Sequence, residues 1–251
     1  MLKLLFDADM LVFRCSSAVE QEINWEGDLW TLHADAAEAK AALDDMVQGI
    51  AEHVLQHYGY VGEYEIVMCF TDDTANFRKL ILPTYKLNRV GKRKPVCYKG
   101  VKEWVKENFT TCQIPTLEAD DCIGILATAK GSNAVIISGD KDFKTIPARF
   151  YDFLHDTFYE ITEAEADYNH LKQTLVGDTA DNYKGCPSIG EVSAKKLLDK
   201  DPTWNCVLEA FKKKGLSETE ALIQARVARI LRADDYDFKA GCYIPWCPKT
   251  N

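Results

Sequence analysis

Three short apolar runs, each broken by an acid, constrain this chain more than any other feature. Leu2–Phe6 ends at Asp7, Glu65–Phe70 ends at Thr71-Asp72-Asp73, and Ala134–Ile137 runs into Ser138-Gly139-Asp140. Short runs with no polar alternation mark strands buried on both faces of a parallel sheet. Parallel strands need crossovers, and helical patterns supply them. Ala39, Leu43, Met46, Val47, Ile50 and Val54 predict a helix over 35–57 that Gly59 stops. Residues 99–108 read as an amphipathic helix, and 118–130 as a helix closed by Gly131. Shorter strands are expected near 111–114 and 150–154. Strands alternating with helices predict an α/β fold with a mainly parallel central sheet flanked by helices. The ligand crevice of such a sheet lies outside the carboxyl ends of its strands, where Asp7, Asp72 and Asp140 should converge. Past about residue 165 the strand signal fades. The expected division is an α/β domain over 1–164 and a helical region over 165–251.

Charge narrows the function. A net charge of −9 argues against a protein that simply coats DNA. Its distribution argues otherwise. From Arg78 to Lys106 there are ten basic residues against one acid, Glu103, so this segment carries +9 and the remainder −18. Phe77, Tyr85, Tyr98 and Trp104 accompany it, aromatics suited to stacking on bases. The N-terminal apolar stretch is interrupted by Asp7 and Asp9, and no run reaches membrane-spanning length, so the chain is expected in the cytoplasm. Nine cysteines, none in a C-x-x-C pair, are expected to be free thiols there.

Five groups of acids carry the chemistry: Asp7/Asp9, Asp72/Asp73, Glu118-Ala-Asp120-Asp121, Asp140-Lys-Asp142 and Asp178-Thr-Ala-Asp181. Any one of them could be an ordinary helix cap. Together they crowd one crevice, where each carboxylate raises the pKa of its neighbours. Divalent cations resolve that crowding, and hard oxygen ligands suit Mg²⁺ or Mn²⁺. Two such ions roughly 3.5–4 Å apart stabilise both the attacking and the leaving oxygen of an in-line phosphoryl displacement. The turn Gly185-Cys-Pro-Ser-Ile-Gly190, followed by Lys195 and Lys196, offers amides and cations to a phosphate backbone.

These motifs, in this order and approximate spacing, resemble the flap endonuclease and polymerase-I-type 5′ nuclease superfamily. Within it the chain is most similar to the 5′→3′ exonucleases of short-tailed bacteriophages. The likeness extends to Phe70-Thr-Asp72, Tyr85-Lys86-x-Asn88-Arg89 and Lys141-Asp142-Phe-Lys-Thr-Ile-Pro. It implies a PIN-like 5′ nuclease fold with a helical arch at about 74–108 and a helix–hairpin–helix at about 174–200. It implies one metal cluster from Asp7, Asp72, Glu118 and Asp120, and a second from Asp121, Asp140, Asp142, Asp178 and Asp181. Lys86, Asp120 and Asp121 are the residues expected to carry the reaction. Arg78, Tyr85, Lys86, Arg89, Lys92, Arg93 and Lys94 would meet DNA along the arch. Lys184, Gly185, Gly190, Lys195 and Lys196 would grip duplex at the hairpin, where the family often holds K⁺. Glu191 is an acid where cellular relatives usually carry a neutral residue.

The substrate implied is double-stranded DNA with a 5′ end or flap, with RNA–DNA hybrid and replication proteins as further partners and no membrane. The location implied is the host cytoplasm, if a phage encodes the chain. Two rivals remain open on the sequence. One is a haloacid-dehalogenase-type phosphatase using Asp7-Ala-Asp9. The other is a non-catalytic DNA-binding module.

Overall fold

The computed structural model describes residues 1–248. In chain order, β1 (Leu2–Asp7) leads through α1 (Ala8–Ala18) to a hairpin of β2 (Glu20–Trp25) and β3 (Leu29–Ala34), then α2 (Ala36–His57) and β4 (Tyr64–Cys69). Next come α3 (Arg78–Ile81), α4 (Tyr98–Asn108), β5 (Thr110–Cys112), α5 (Ala119–Thr128), β6 (Ala134–Ser138), β7 (Arg149–Asp152) and β8 (Thr157–Glu160). Four helices follow, α6 (Glu163–Val176), α7 (Glu191–Leu198), α8 (Trp204–Lys212) and α9 (Glu218–Ala228), before a small pair, β9 (Tyr236–Asp237) and β10 (Cys242–Tyr243).

The six-stranded sheet has the order β5-β4-β1-β6-β7-β8 and is parallel except for β8. The apolar runs fail to alternate because both faces of the sheet are covered. Leu2, Leu4 and Phe6 face one core with α1, α2 and α4, while Leu5 faces the other with Val67, Ile136 and α5. Asp35 starts α2 by accepting from the Ala37 amide at 2.8 Å. Capping boxes start α6 (Thr162, Glu165) and α9 (Ser217, Glu220).

Helices α6–α9 enclose a core of their own around Leu175, Leu198, Val207 and Phe211. After α9 the chain returns to the sheet, where Ile230 and Leu231 join the α5 core. The two parts expected from the sequence are therefore tied together at the C-terminal end. Among the described residues no helix is long and apolar enough to cross a membrane.

Two local expectations change. The β2–β3 hairpin escapes sequence reading because both its faces are exposed, so no burial period marks it. The basic segment is less helical than the resemblance implies. Between α3 and α4 the only helical turn is a 3₁₀ turn at Leu87–Arg89, since Pro83, Gly91 and Pro95 interrupt anything longer.

Candidate active site

A cavity of about 650 Å³ opens at the carboxyl ends of the strands, lined by Asp7, Glu118, Asp120, Asp140, Asp142, Asp178 and Asp181. Helix capping is what aims several of them. Asp7 ends β1 and caps α1 through the Met10 amide at 3.2 Å, and its other oxygen accepts from Ser138 Oγ of β6 at 3.2 Å. Asp140 caps the 3₁₀ turn at Lys141–Thr145 by accepting from the Asp142 amide at 2.9 Å. Glu118 is the N-cap of α5. Asp178 and Asp181 lie on a loop closed by backbone pairing of Asp178 with Tyr183. At the base of that loop Gly177 and Gly185, both at positive φ, touch so closely that a Cβ on either would come within 2.4 Å of the other's backbone region. Capping and crowding are thus properties of the same carboxylates.

The cations stand on the arch side. Lys86 has left-handed backbone (φ 52°) and donates its N–H to the Asp181 carbonyl at 2.9 Å. Its ammonium pairs with Glu118 and lies 3.5 Å from Asp181. Lys86 and Arg89 therefore converge on Asp181 from a 3₁₀ turn and not from the helical arch the resemblance implied. Tyr85 donates its hydroxyl to Glu118 at 2.8 Å and lies 3.0 Å from Asp181.

Electrostatics follow burial and neighbours. Burial, reinforced by Asp9 and Asp140, pushes Asp7 up to about 7. Burial, then Asp140 and Asp178, does the same for Asp142, also to about 7. Asp120 is held well above the usual carboxylate range by burial and then by Asp7 and Asp140. Glu118 goes the other way: burial opposes, but Lys86 and Arg78 win and hold it down at about 2. One end of the crevice is neutralised by protein cations. The other has surplus negative charge.

That surplus is where divalent cations fit. Among the described residues no three His, Cys, Asp or Glu side chains already form a closed ligand set. Instead Lys86 reaches in among the acids. The donors are all carboxylates, the chemistry that hard cations take.

Several sequence expectations do not survive. Asp121 is fully buried and both its oxygens are taken by Arg78, at 2.6 and 2.7 Å, so in this structure it serves an ion pair and does not face the cavity as an open ligand. Arg78, 2% exposed, also donates to the carbonyls of Val227 and Arg229, so in this structure its guanidinium faces inward and not toward the surface expected for DNA. Tyr85 is buried at 3% exposure and spends its hydroxyl on the acids, which leaves no face for DNA. Gly185 is buried and donates its amide to Gln224 at 2.9 Å, so it has none to offer a phosphate. Asp72 spends both oxygens on turn contacts with Thr74 and the Thr116 amide and stands outside the acid-lined cavity. A buried charge pair is far costlier to halve than to keep. Arg78→Ala, which strands Asp121, is expected to cost about 3–5 kcal/mol of stability, read as a fall in the urea midpoint.

Asp9 and Asp73, the second acids of their pairs, hold the arch. Asp9 accepts from the Thr71 amide at 2.8 Å and the Tyr98 hydroxyl at 2.9 Å, while Asp73 takes Lys102 at 2.8 Å. With both oxygens occupied, Asp9 is not free to act as the general acid of an Asp-x-Asp phosphatase.

Sequence reasoning missed Met10, Phe13 and Arg14, which line the cavity from α1. Phe13 is 49% exposed, yet Met-Leu-Val-Phe reads as core throughout. Only the helical turn separates inward Leu11 and Val12 from it.

Of the remaining basic residues, Lys92, Lys94, Lys184 and Lys196 are exposed. Arg93 is exposed but forms a two-pronged pair with Glu20, and Lys195 pairs with Asp199 at 2.8 Å. Gly190 opens α7 with no side-chain cap, so the amides there are unclaimed by a cap, although Glu191 sits beside them and meets Lys172 at 3.2 Å.

Comparison with known proteins converges. Residues 3–170 match the family model described as 5′-3′ exonuclease, N-terminal resolvase-like domain. An exodeoxyribonuclease of Enterobacteria phage T3 is 34% identical, covering 98% of this chain and 93% of its own. An exonuclease of Escherichia phage T7 is also 34% identical, covering 94% and 90%. Among solved structures, the bacteriophage T5 flap endonuclease in a complex with DNA and metal ions superposes with a TM-score of 0.64 at 15% identity, over 91% of this chain and 89% of that one. The T5 5′-exonuclease with bound zinc gives 0.59 at 16% identity, over 91% and 93%.

Proposed function

The chain belongs to the 5′-3′ exonuclease family, and from that premise we propose that it hydrolyses phosphodiester bonds of duplex DNA from a 5′ end or flap with two divalent cations, Mg²⁺ or Mn²⁺. It is a nuclease of the 5′→3′ exonuclease and flap type with a PIN-like fold. The observation that carries the metal reading is the surplus of buried carboxylates around Asp120, with Asp7 and Asp142 both pushed up to about 7 by burial and by neighbouring acids. Asp7, Glu118, Asp120, Asp140, Asp142, Asp178 and Asp181 would hold the ions. When bound, such ions supply a nucleophilic hydroxide at neutral pH and stabilise the leaving oxygen. Lys86 would meet the scissile phosphate, and Arg89 would hold Asp181 in place.

The duplex would lie along Lys184, Lys195, Lys196 and the open start of α7, the hairpin at which the resemblance implies K⁺ would bind. The phage T5 relative solved with DNA supports that class of substrate. Excess EDTA is expected to abolish cleavage of 5′-labelled duplex, and Mg²⁺ or Mn²⁺ to restore it. Full activity in chelator overturns the reading. Running an RNA–DNA hybrid alongside asks whether the same site removes primers.

The exposed arch provides a second test. Each phosphate that a variant no longer neutralises should lower the slope of log affinity against log salt by roughly 0.7–0.9. Lys92→Ala with Lys94→Ala is therefore expected to flatten the slope by about twice that amount. Adding Arg93→Ala is expected to do less than removing a third free cation, because Arg93 already answers Glu20. A slope unchanged by the pair makes the arch tip a solvated surface.

A further inference from the structure

Three thiols meet at the joint that carries Thr71 and the start of α5, and the nuclease reaction uses none of them. Cys69 ends β4, Cys112 ends β5, and Cys122 lies in the first turns of α5. Cys69 and Cys112 are directly paired across the parallel strands. Partners on neighbouring parallel strands project to the same face with their strands about 4.8 Å apart, inside the roughly 4.4–6.8 Å Cα window of a disulfide. Their register and Cα spacing therefore meet the first requirement of a disulfide. Cys122 approaches from the helix side, its Sγ 4.0 Å from the Phe70 carbonyl.

Exposure separates their roles. Cys69 and Cys122 are buried, and Cys112, on the edge strand, is half-buried. We propose that Cys112 is a peroxide-reactive thiol and that Cys69 resolves it, forming a reversible disulfide across the β4–β5 edge of the sheet.

The chemistry balances with a hydroperoxide as oxidant. The Cys112 thiolate attacks the O–O bond, keeps one oxygen as a sulfenic acid, and the other leaves as hydroxide and takes up a proton. The Cys69 thiol then attacks that sulfur, the S–O bond breaks, and the departing hydroxide takes the Cys69 proton as water. The two thiols lose two electrons and the peroxide gains them. The thiolate is the attacking form, and the neighbouring Cys122 and Cys69 side chains hold the Cys112 pKa well below a free thiol's. The bridge would tie the strand ends that position Thr71, whose amide Asp9 holds and whose Oγ accepts from the Ala119 amide at the head of α5.

The test uses the full chain carrying Cys242→Ser and Cys247→Ser, which removes the two exposed thiols. Hydrogen peroxide treatment followed by non-reducing peptide mass spectrometry should give a mass loss of about 2 Da and a peptide linking residues 69 and 112, both reversed by dithiothreitol. Cys112→Ser, at an edge position that tolerates the change, should show no such link. Cys69→Ala should leave the sulfenic acid unresolved, so that dimedone labelling of Cys112 rises severalfold over the parent. Two outcomes overturn the proposal: Cys112 passing to sulfinic acid while Cys69 is present, or a bridge from Cys112 to Cys122 in place of Cys69.

Discussion

Asp120→Asn is expected to remove nearly all cleavage while DNA binding persists. Asp120 stands at the head of α5 in the most negative part of the crevice, where burial and then Asp7 and Asp140 hold its pKa well above the ordinary carboxylate range. A carboxylate is placed there at a cost to the fold, which makes sense only if a cation answers it. Asparagine keeps the shape and removes the charge, so packing is undisturbed and the phosphate contacts on the arch remain. The single-turnover rate in Mg²⁺ should fall on the order of 10³-fold, the upper range for deleting one electrostatic element of a site. Affinity measured in Ca²⁺ should hold or tighten, because a negative charge has left the path of a polyanion. Asp121→Asn supplies the contrast. Its carboxylate belongs to Arg78, so its loss should register mainly in the urea midpoint. A wild-type rate in Asp120→Asn would sink the metal assignment for this residue.

The fold was legible where hydrophobic burial writes a simple pattern. Leu2–Phe6, Val67–Cys69 and Ala134–Ile137 lie buried in strands because the sheet is covered on both sides, a condition that erases alternation and leaves an apolar run. The hairpin at 20–34 was silent for the opposite reason, since neither face is buried.

At the site, residue type and spacing identified the acids but not their partners. The resemblance implied that Glu118 and Asp121, three residues apart, were both metal ligands. That three-residue spacing is also that of a capping box, and Asp121 turned inward to Arg78, forty-three residues away in the chain. Nothing local in the sequence distinguishes those outcomes, because the deciding charge arrives from a distant segment. The same holds for Tyr85, whose hydroxyl is spent on Glu118. Phe13 was hidden in the other direction, a residue that reads as core but faces the crevice.

Lys86→Ala should separate chemistry from binding. The ammonium pairs with Glu118, lies 3.5 Å from Asp181 and is held there by a left-handed backbone whose N–H is anchored on the Asp181 carbonyl. Alanine is no worse than lysine in that conformation, so the substitution tests the charge and not the turn. A cation aimed at the scissile phosphate is worth more as charge develops there than it is in the ground state. The single-turnover rate is therefore expected to drop about 10²-fold at saturating enzyme, with affinity in Ca²⁺ changed only severalfold. Lys99→Ala is the control, with a side chain 89% exposed and paired only with Glu103, and it should lose little. A second explanation has its own signature. Lys86 helps keep Glu118 ionised, against burial that opposes it. If the lost rate is an indirect loss of metal affinity through Glu118, raising Mg²⁺ will restore it. If Lys86 acts on the phosphate, the deficit will persist at saturating Mg²⁺. A wild-type rate at saturation leaves Lys86 as a neutralising partner of Glu118 and removes it from the reaction.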